Sequence, residues 1–277
     1  MPGTLYVVAT PLGNLGDLST RAADLLRTVP VVAAEDTRRT RGLLSHLSAS
    51  PNLLSFHAHS GEHRLETVLD ILRSGRDVAL VCDAGTPTVS DPGADLVGVA
   101  RKSGISVVPI PGPSAVATAL SAAGLPGDRY LFLGFIPRKG RERSRLLQRA
   151  ALEEWSVVFY EAPPRLLALL EDLIPLAGAD RVVVVARELT KIHEEIRSGT
   201  LGEMADYFTV TPPRGELTII LQGTGSPAAE PDRTGEAVEA ATTLLAEGVP
   251  RREIARRLTE SLGLARNEAY RLVMELP

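Results

Sequence analysis

Two loops of this sequence combine residue types that can bind a small polar ligand. The first, Asp83-Ala-Gly-Thr-Pro-Thr-Val-Ser-Asp-Pro-Gly93, directly follows the apolar run Val78–Cys82. Its glycines permit close approach of the backbone, its prolines fix its shape, and its carboxylates and hydroxyls can hold polar groups. The second, Pro111-Gly-Pro-Ser-Ala115, leads into an apolar helical segment whose free N-terminal amides suit a carboxylate. The first loop also fits a structural turn that starts a helix, but eleven residues are more than a turn requires, so we favour ligand binding.

Several other chemistries lack their signatures in this sequence. A dinucleotide fold needs G-x-G-x-x-G after its first strand, where the chain has only Gly13-Asn-Leu-Gly16, and it has neither a P-loop nor G-x-S-x-G. Cys82 lies in an apolar run, which predicts a core residue rather than a nucleophile. His57, His59 and His63 are joined by no ligand-spaced cysteine or carboxylate beyond Glu62, so we expect no metal site.

The elements that position these loops alternate between strands and helices. Short apolar runs predict strands, and apolar residues every three or four positions predict helices. In the first part of the chain the pattern predicts strands at 4–9, 31–34, 78–82 and 105–110 and helices at about 22–29, 61–74 (capped by Ser60) and 93–102. In the second part it predicts helices at 114–123, 141–153, 164–174 and 201–208 and strands at 130–135, 156–160, 181–186, 193–198 and 216–222.

The predicted fold class is therefore α/β, with two α/β domains and a small helical module. Uninterrupted apolar strands in the first domain indicate a parallel sheet covered on both faces, whereas polar alternation near the end of the second indicates a mixed or antiparallel sheet. The stiff segment Pro109–Pro113 separates domain 1–111 from domain 112–224. A linker at 223–233 leads to a C-terminal module at 234–277, with helices at 234–247, 251–262 and 266–275.

Composition and charge narrow the functional classes. The chain has 277 residues, a formal net charge of −4 and one cysteine, and no apolar run approaches the roughly 18 residues that span a bilayer. We therefore expect a globular cytoplasmic protein rather than a membrane, secreted, fibrous or disordered one. The segment 138–149 is basic although the chain as a whole carries a net negative charge, because it holds six basic residues and the single acid Glu142.

The basic segment has a spacing that suits nucleic acid. On a helix from about 141, three arginines recur every four residues and form one stripe that can follow phosphates: Arg141, Arg145 and Arg149. The C-terminal module also carries arginines, but glutamates offset them, so RNA contact and an ion-paired surface remain equal alternatives there.

Nine motifs in order carry a family resemblance. They are TPLGNLGD (10–17), AEDTR (34–38), SFHAH (55–59), DAGTPTVSDPG (83–93), PGPSA (111–115), FLGFIP (132–137), YEAPPR (160–165), RELTK (187–191) and RGE (214–216). Together they resemble the ribosomal small-subunit RNA cytidine-2′-O-methyltransferase family, which has the tetrapyrrole methylase-like fold. The resemblance spans essentially the whole chain.

The resemblance implies an enzyme that uses S-adenosyl-L-methionine in a cleft between two α/β domains. It implies a homodimer and, as substrate, the 2′-hydroxyl of a cytidine in 16S rRNA near the decoding centre of the small ribosomal subunit. It also implies a set of cofactor contacts: Leu12, Asp83, Gly85, Thr86, Val89, Asp91, Ser114, Ala115, Ala162 and Glu216.

Methyl transfer to a ribose hydroxyl needs orientation and a group that takes the proton. The candidate acceptors follow two predicted strands and are Glu35, Asp36, Glu188 and Lys191. Basic residues nearby or in the basic segment are candidate RNA contacts: Arg38, Arg138, Lys139, Arg141, Arg145, Arg149 and Arg187. A tetrapyrrole-precursor C-methyltransferase and a non-catalytic ribosome-binding protein remain alternatives, and the basic segment favours RNA over the macrocycle.

Overall fold

In the computed structural model, residues 1–57, 60–225, 234–262 and 266–276 are described. The chain forms two compact units, Met1–Thr224 and Gly225–Pro277. None of the helices in the described part of the chain combines the length and apolar character needed to cross a membrane. Both sheets lie in the first unit, so the predicted domain boundary between 111 and 112 stays a prediction.

The first sheet is entirely parallel. Its strands are β1 (Leu5–Val8), β2 (Val31–Ala34), β3 (Asn52–Ser55), β4 (Val78–Val81) and β5 (Val107–Ile110), in the spatial order β3-β2-β4-β1-β5. Every residue of β2 and β4 is buried, as expected for inner strands of a sheet covered on both faces. Pro109 falls in β5, which lies at the edge of the sheet, where a missing backbone N–H is tolerated.

Helices surround this sheet. They are α1 (Thr20–Thr28), α2 (Thr37–His46), α3 (Gly61–Arg73) and α4 (Ala94–Lys102), and they cover two apolar clusters on opposite faces. Leu69, Leu72 and Leu96 belong to one cluster and Leu26 and Leu44 to the other. Burial of each such side chain contributes about 1.5–3 kcal/mol before the entropy of folding is counted.

Two elements and one cap differ from the sequence-based expectation. The apolar pattern predicts no helix or strand at 35–60, where α2 and β3 lie, because α2 buries little beyond Thr40 and Leu44 and β3 is a half-exposed edge strand. Ser60 is the N-cap residue of α3, as predicted, but its side chain makes no hydrogen bond to the helix and instead accepts one from the His57 amide at 2.7 Å.

The second sheet is mixed, as predicted. Its strands are β6 (Tyr130–Phe135), β7 (Ser156–Glu161), β8 (Val182–Arg187), β9 (Glu195–Thr200) and β10 (Leu217–Leu221), in the order β6-β7-β10-β8-β9. The β6–β7 pair is parallel and the other pairs are antiparallel.

Helices also cover this second sheet on both faces. One face packs against α6 (Arg141–Leu152), α7 (Leu166–Ala177) and α8 (Leu201–Val210), the last of which begins with a Thr200–Glu203 capping box. The other face packs against α5 (Ala115–Ala122).

The second unit has its own small core. Helices α9 (Thr234–Ala246), α10 (Arg251–Leu262) and α11 (Arg266–Glu275) match the predicted bounds closely, and they bury residues such as Ile254, Leu258 and Val273 among themselves. Arg251 donates hydrogen bonds from Nη1 to the carbonyls of Val273 and Leu276, at 2.7 and 3.0 Å, which satisfies the free end of α11. Of the predicted linker at 223–233, residues 226–233 lie outside the described residues, as do residues 263–265 between the last two helices.

Candidate active site

A cavity of about 400 Å³ lies where the carboxyl ends of the parallel strands meet the second sheet. Ligands of open α/β sheets bind at this edge, and pockets for small molecules have volumes of roughly 300–1,000 Å³. The loops after β1, β2, β4 and β5 form one side, and the end of β7 with the segment before β10 forms the other. Nine of the ten predicted cofactor contacts line it: Leu12, Asp83, Thr86, Val89, Asp91, Ser114, Ala115, Ala162 and Glu216.

The tenth predicted contact, Gly85, does not line the cavity but shapes the loop behind it. Its φ is +84°, a region that glycine adopts without steric cost, and its backbone exchanges two hydrogen bonds with Thr10, at 2.8 and 3.0 Å. The Thr10 hydroxyl in turn donates to the Cys82 carbonyl. Gly85 therefore ties the loop after β4 to the loop after β1.

Three carboxylates face the cavity from the first sheet. The Asp83 side chain accepts a hydrogen bond from the Asp36 amide at 3.0 Å, and the Asp83 amide lies 3.5 Å from Glu35 Oε2. Burial, and then the charge of Asp83, raise the pKa of Glu35. Burial also raises the pKa of Asp91 to about 6, with Glu35 and Asp83 adding to the shift. Glu35 is thus a cavity carboxylate with increased basicity.

Asp36 is placed differently from its neighbour in the chain. Its side chain caps α2 by accepting from the Arg38 amide, and it forms an ion pair with Arg38 at 2.8 Å. These hydrogen bonds hold the pKa of Asp36 well below its usual range, so it is a weak proton acceptor. Arg39, which is not among the predicted site residues, lines the cavity and lies 3.4 Å from Asp83.

Glu188 and Lys191 form an ion cluster at the cavity rim. Lys191 Nζ lies 2.8 Å from Glu188 Oε1 and 3.2 Å from Glu216 Oε2, and Glu188 Oε1 also accepts from the Glu216 amide. The hydrogen bond from Lys191 lowers the pKa of Glu188. Burial by itself lowers the pKa of Lys191, but the hydrogen bonds to Glu188 and Glu216 outweigh burial and the pKa is raised. The amine is therefore charged. Gly13 leaves room for the Lys191 chain, which therefore joins loops from the two sheets.

The ion cluster makes both Glu188 and Lys191 unfavourable as proton acceptors. The charged Lys191 has no lone pair to accept a proton, and Glu188 already accepts two hydrogen bonds. Cys82 is buried directly after β4, and burial raises the pKa of its thiol, which is unfavourable for a nucleophile.

The predicted RNA contacts fall into two groups. Arg38 and Arg187 are ion-paired, with Asp36 and Glu195 respectively. The stripe of Arg141, Arg145 and Arg149 lies on the exposed face of α6, which buries its opposite face. Arg138 and Lys139 are exposed just before this helix, so the basic segment is accessible as a surface.

Two aromatic residues of the motifs also line the cavity, although their residue types alone predict no role for them. Phe135 and Tyr160 line the second-sheet side, within FLGFIP and YEAPPR.

Of the histidines, His59 lies outside the described residues, and within the described chain no three His, Cys, Asp or Glu side chains group as metal ligands. The expectation of no metal site stays a prediction.

Comparison with known proteins identifies the family. Residues 4–205 match the family model of the tetrapyrrole (corrin/porphyrin) methylases. Over 275 residues the chain is 44% identical to the ribosomal RNA small subunit methyltransferase I of Synechocystis sp., covering 99% of this chain and 98% of that protein. The chain belongs to the ribosomal RNA small subunit methyltransferase I family. It is therefore a methyltransferase, and the resemblance carried by the nine motifs is confirmed.

Two further similarities bear on architecture. The methyltransferase I of Thermotoga maritima is 43% identical over 221 residues, which cover 80% of this chain and 99% of that relative, so members of the family differ in length. The uroporphyrin-III C-methyltransferase of Thermus thermophilus, solved with S-adenosylhomocysteine, superposes with a TM-score of 0.58 at 20% identity, covering 79% of this chain and 97% of that one. The predicted fold class is confirmed.

Proposed function

We propose that this chain transfers a methyl group from S-adenosyl-L-methionine to the ribose 2′-hydroxyl of a cytidine in 16S rRNA, near the decoding centre. The observation that carries the proposal is the cavity, because nine residues from five separate segments converge on it beside a carboxylate of raised pKa. Family membership gives the reaction class and the RNA.

The cavity suits the proposed cofactor in size and chemistry. Its volume of about 400 Å³ fits a ligand of nucleoside size with an amino-acid tail. Ser114 precedes α5 and makes no side-chain cap, so the first amides of α5 are available to a carboxylate. Leu12 and Val89 supply apolar surface, while Asp83 and Asp91 can accept hydrogen bonds from hydroxyl or amino groups.

When bound, the cofactor supplies an electrophilic methyl group on a positively charged sulfur. The protein must hold the 2′-oxygen in line with the carbon–sulfur bond that breaks as the new carbon–oxygen bond forms. We assign the proton of the hydroxyl to a carboxylate oxygen of Glu35, because that side chain lines the cavity and burial raises its pKa, whereas the resemblance gives Asp83 and Asp91 to the cofactor. In this scheme Lys191 holds the rim together through Glu188 and Glu216 and takes no proton.

We propose that the phosphate backbone of the RNA lies along the basic segment 138–149. Arg138 and Lys139 are exposed, as is the α6 stripe, and within the described residues only Arg149 of that stripe approaches an acid, Glu153, at 3.9 Å. Unpaired arginines on one helical face can neutralise phosphates without breaking internal ion pairs. In the second unit Arg256 and Arg257 pair with Glu253, which favours a solvated surface for α10.

A homodimer, a cytoplasmic location and a boundary between domains at 111/112 complete the proposal. Separate sheets before and after this boundary support the division, because β1–β5 end at Ile110 and β6 begins at Tyr130. Light scattering of the purified protein tests the dimer.

The deciding experiment uses small ribosomal subunits that lack the modification. The protein is incubated with these subunits and S-adenosylmethionine labelled in its methyl group, and the modified nucleotide is mapped by mass spectrometry. Label on a cytidine ribose is expected. Label on uroporphyrinogen III but not on RNA would favour the tetrapyrrole alternative, and binding without methyl transfer would favour a non-catalytic role.

A further inference from the structure

Phe135 is an apolar side chain in an unusual position. It is the last residue of β6, its exposed fraction is 56%, and it lines the cavity that the carboxylates of the first sheet also line. An exposed phenylalanine gains little from folding, because most of its ring stays in contact with water. The function proposed above assigns this ring no role.

A β-bulge aims Phe135 at the cavity. In the β6–β7 ladder Phe132 pairs with Val158 and Gly134 pairs with Phe159, so Leu133 is an extra residue. Residues three apart in a regular strand point to opposite faces. Here both Phe132 and Phe135 contact the ring of Tyr160, at centroid distances of 5.0 and 5.5 Å. Bulges beside active sites commonly redirect a side chain in this way.

The bulge is built to fit the opposing loop. Gly134 has a φ of +61°, and a Cβ at this position would lie 2.8 Å from Ser90 Oγ of the Asp83–Gly93 loop. Tyr160 is half-buried, and its ring packs edge-on against Phe132. Phe135 therefore projects from a fixed support.

Phe135 also lies next to the basic segment. Ile136 is buried, and exposed Arg138 and Lys139 follow within four residues of the ring. An aromatic ring beside basic side chains is the combination that binds unstacked nucleotides, since the ring stacks on a base and the cations hold phosphates. The ring and the Glu35 side chain line the same cavity.

We propose that Phe135 is the stacking platform for the nucleobase of the nucleotide that is methylated. The inference rests on the proposed function and adds a substrate-binding residue to it. A nucleotide whose ribose hydroxyl enters the cavity must leave its base stack, and an aromatic side chain that lines the cavity offsets part of that cost. Stacking tolerates any base, so this contact positions the ribose rather than selecting cytosine.

The test replaces the ring while keeping the apolar contact with Tyr160. Phe135→Leu is compared with Phe135→Trp, and Trp155→Leu removes an exposed ring that does not line the cavity and instead contacts Arg129. Two quantities are measured for each variant: kcat/KM for unmodified small subunits, and the Kd for S-adenosylhomocysteine by calorimetry.

We expect Phe135→Leu to lower kcat/KM for subunits by roughly ten-fold or more, because each stacked base contributes that much to binding. The Kd for S-adenosylhomocysteine should stay within about two-fold of wild type, which also shows that the variant is folded. Phe135→Trp should restore most of the rate, and Trp155→Leu should match wild type in both measurements.

Three results would overturn the inference. Unchanged kcat/KM in Phe135→Leu would show that no base stacks there. An equal loss of affinity for S-adenosylhomocysteine would place the cofactor, not the substrate, against this ring. Failure of Phe135→Trp to recover any rate would indicate a role in shape alone. If the wild-type protein methylates no subunit RNA, the proposed function itself fails, and that result is visible without any variant.

Discussion

Neutralising Glu35 is the sharpest test of the proposed chemistry. Glu35→Gln keeps the size of the side chain and its ability to accept from the Asp83 amide, but it removes the charge that takes the proton. Asp36→Asn is the matched control, because it neutralises the next carboxylate in the chain, and asparagine caps helices as well as aspartate does.

The expected size of the effect follows from the position of the group. A positioned general base contributes roughly 10²–10⁴-fold to a rate, which corresponds to about 3–5 kcal/mol in the barrier. We expect Glu35→Gln to lower the single-turnover rate by at least the smaller factor, since burial and Asp83 raise the basicity of this carboxylate. Asp36→Asn should stay within about two-fold of wild type, because hydrogen bonds with Arg38 already occupy its carboxylate.

The assay is the single-turnover rate on unmodified small subunits between pH 5 and 9, with saturating S-adenosylmethionine. A base must be deprotonated to act, and burial raises the pKa of Glu35, so the wild-type rate should fall toward low pH and this fall should be smaller in Glu35→Gln. Removing the Glu35 charge should also lower the pKa of Asp91 from its value of about 6, which carboxyl NMR can follow. A Glu35→Gln rate within about three-fold of wild type would refute Glu35 as the base.

Three further predictions concern the surface, the loops and the second unit. Filter binding of small subunits at several salt concentrations gives the slope of the logarithm of the association constant against the logarithm of salt concentration. Replacing all three arginines of the α6 stripe by Gln should reduce this slope by roughly two units. Arg143 is paired with Asp172, so Arg143→Gln should leave the slope unchanged. Asp91→Asn should raise the free energy of unfolding at pH 7.5 by about 1 kcal/mol, after allowance for the partial exposure of the side chain. Burial raises the pKa of Asp91 to about 6, so ionisation of this carboxyl costs the folded protein stability as pH rises through about 6. Calorimetry below pH 4, where the carboxyl is protonated, should show no gain. A chain that ends after Thr224 should bind S-adenosylhomocysteine with wild-type affinity in calorimetry, because every residue that lines the cavity lies in the first unit; a ten-fold loss would contradict this.

Local sequence pattern by itself determines much of the architecture of this protein. The alternation of strands and helices, the mixed character of the second sheet and the bounds of α9–α11 follow from apolar periodicity and turn residues, which act over a few positions. The two loops at 83–93 and 111–115 are recognisable because their glycine, proline and acid content exceeds what a turn needs. Where a segment buries few apolar side chains, as α2 and β3 do, the apolar pattern does not predict the helix or strand.

The tertiary structure decided which of the candidate groups has the right environment. Glu35 and Asp36 are adjacent in sequence and identical in charge, yet one lines a cavity beside Asp83 and the other caps a helix against Arg38. Their pKa values move in opposite directions because desolvation and hydrogen bonding depend on the partners that folding brings to each carboxylate. The position of Phe135 likewise depends on a bulge against β7 and a loop from the other sheet. Sequence supplies the residue types, whereas long-range packing sets the dielectric, the partners and the direction of each side chain.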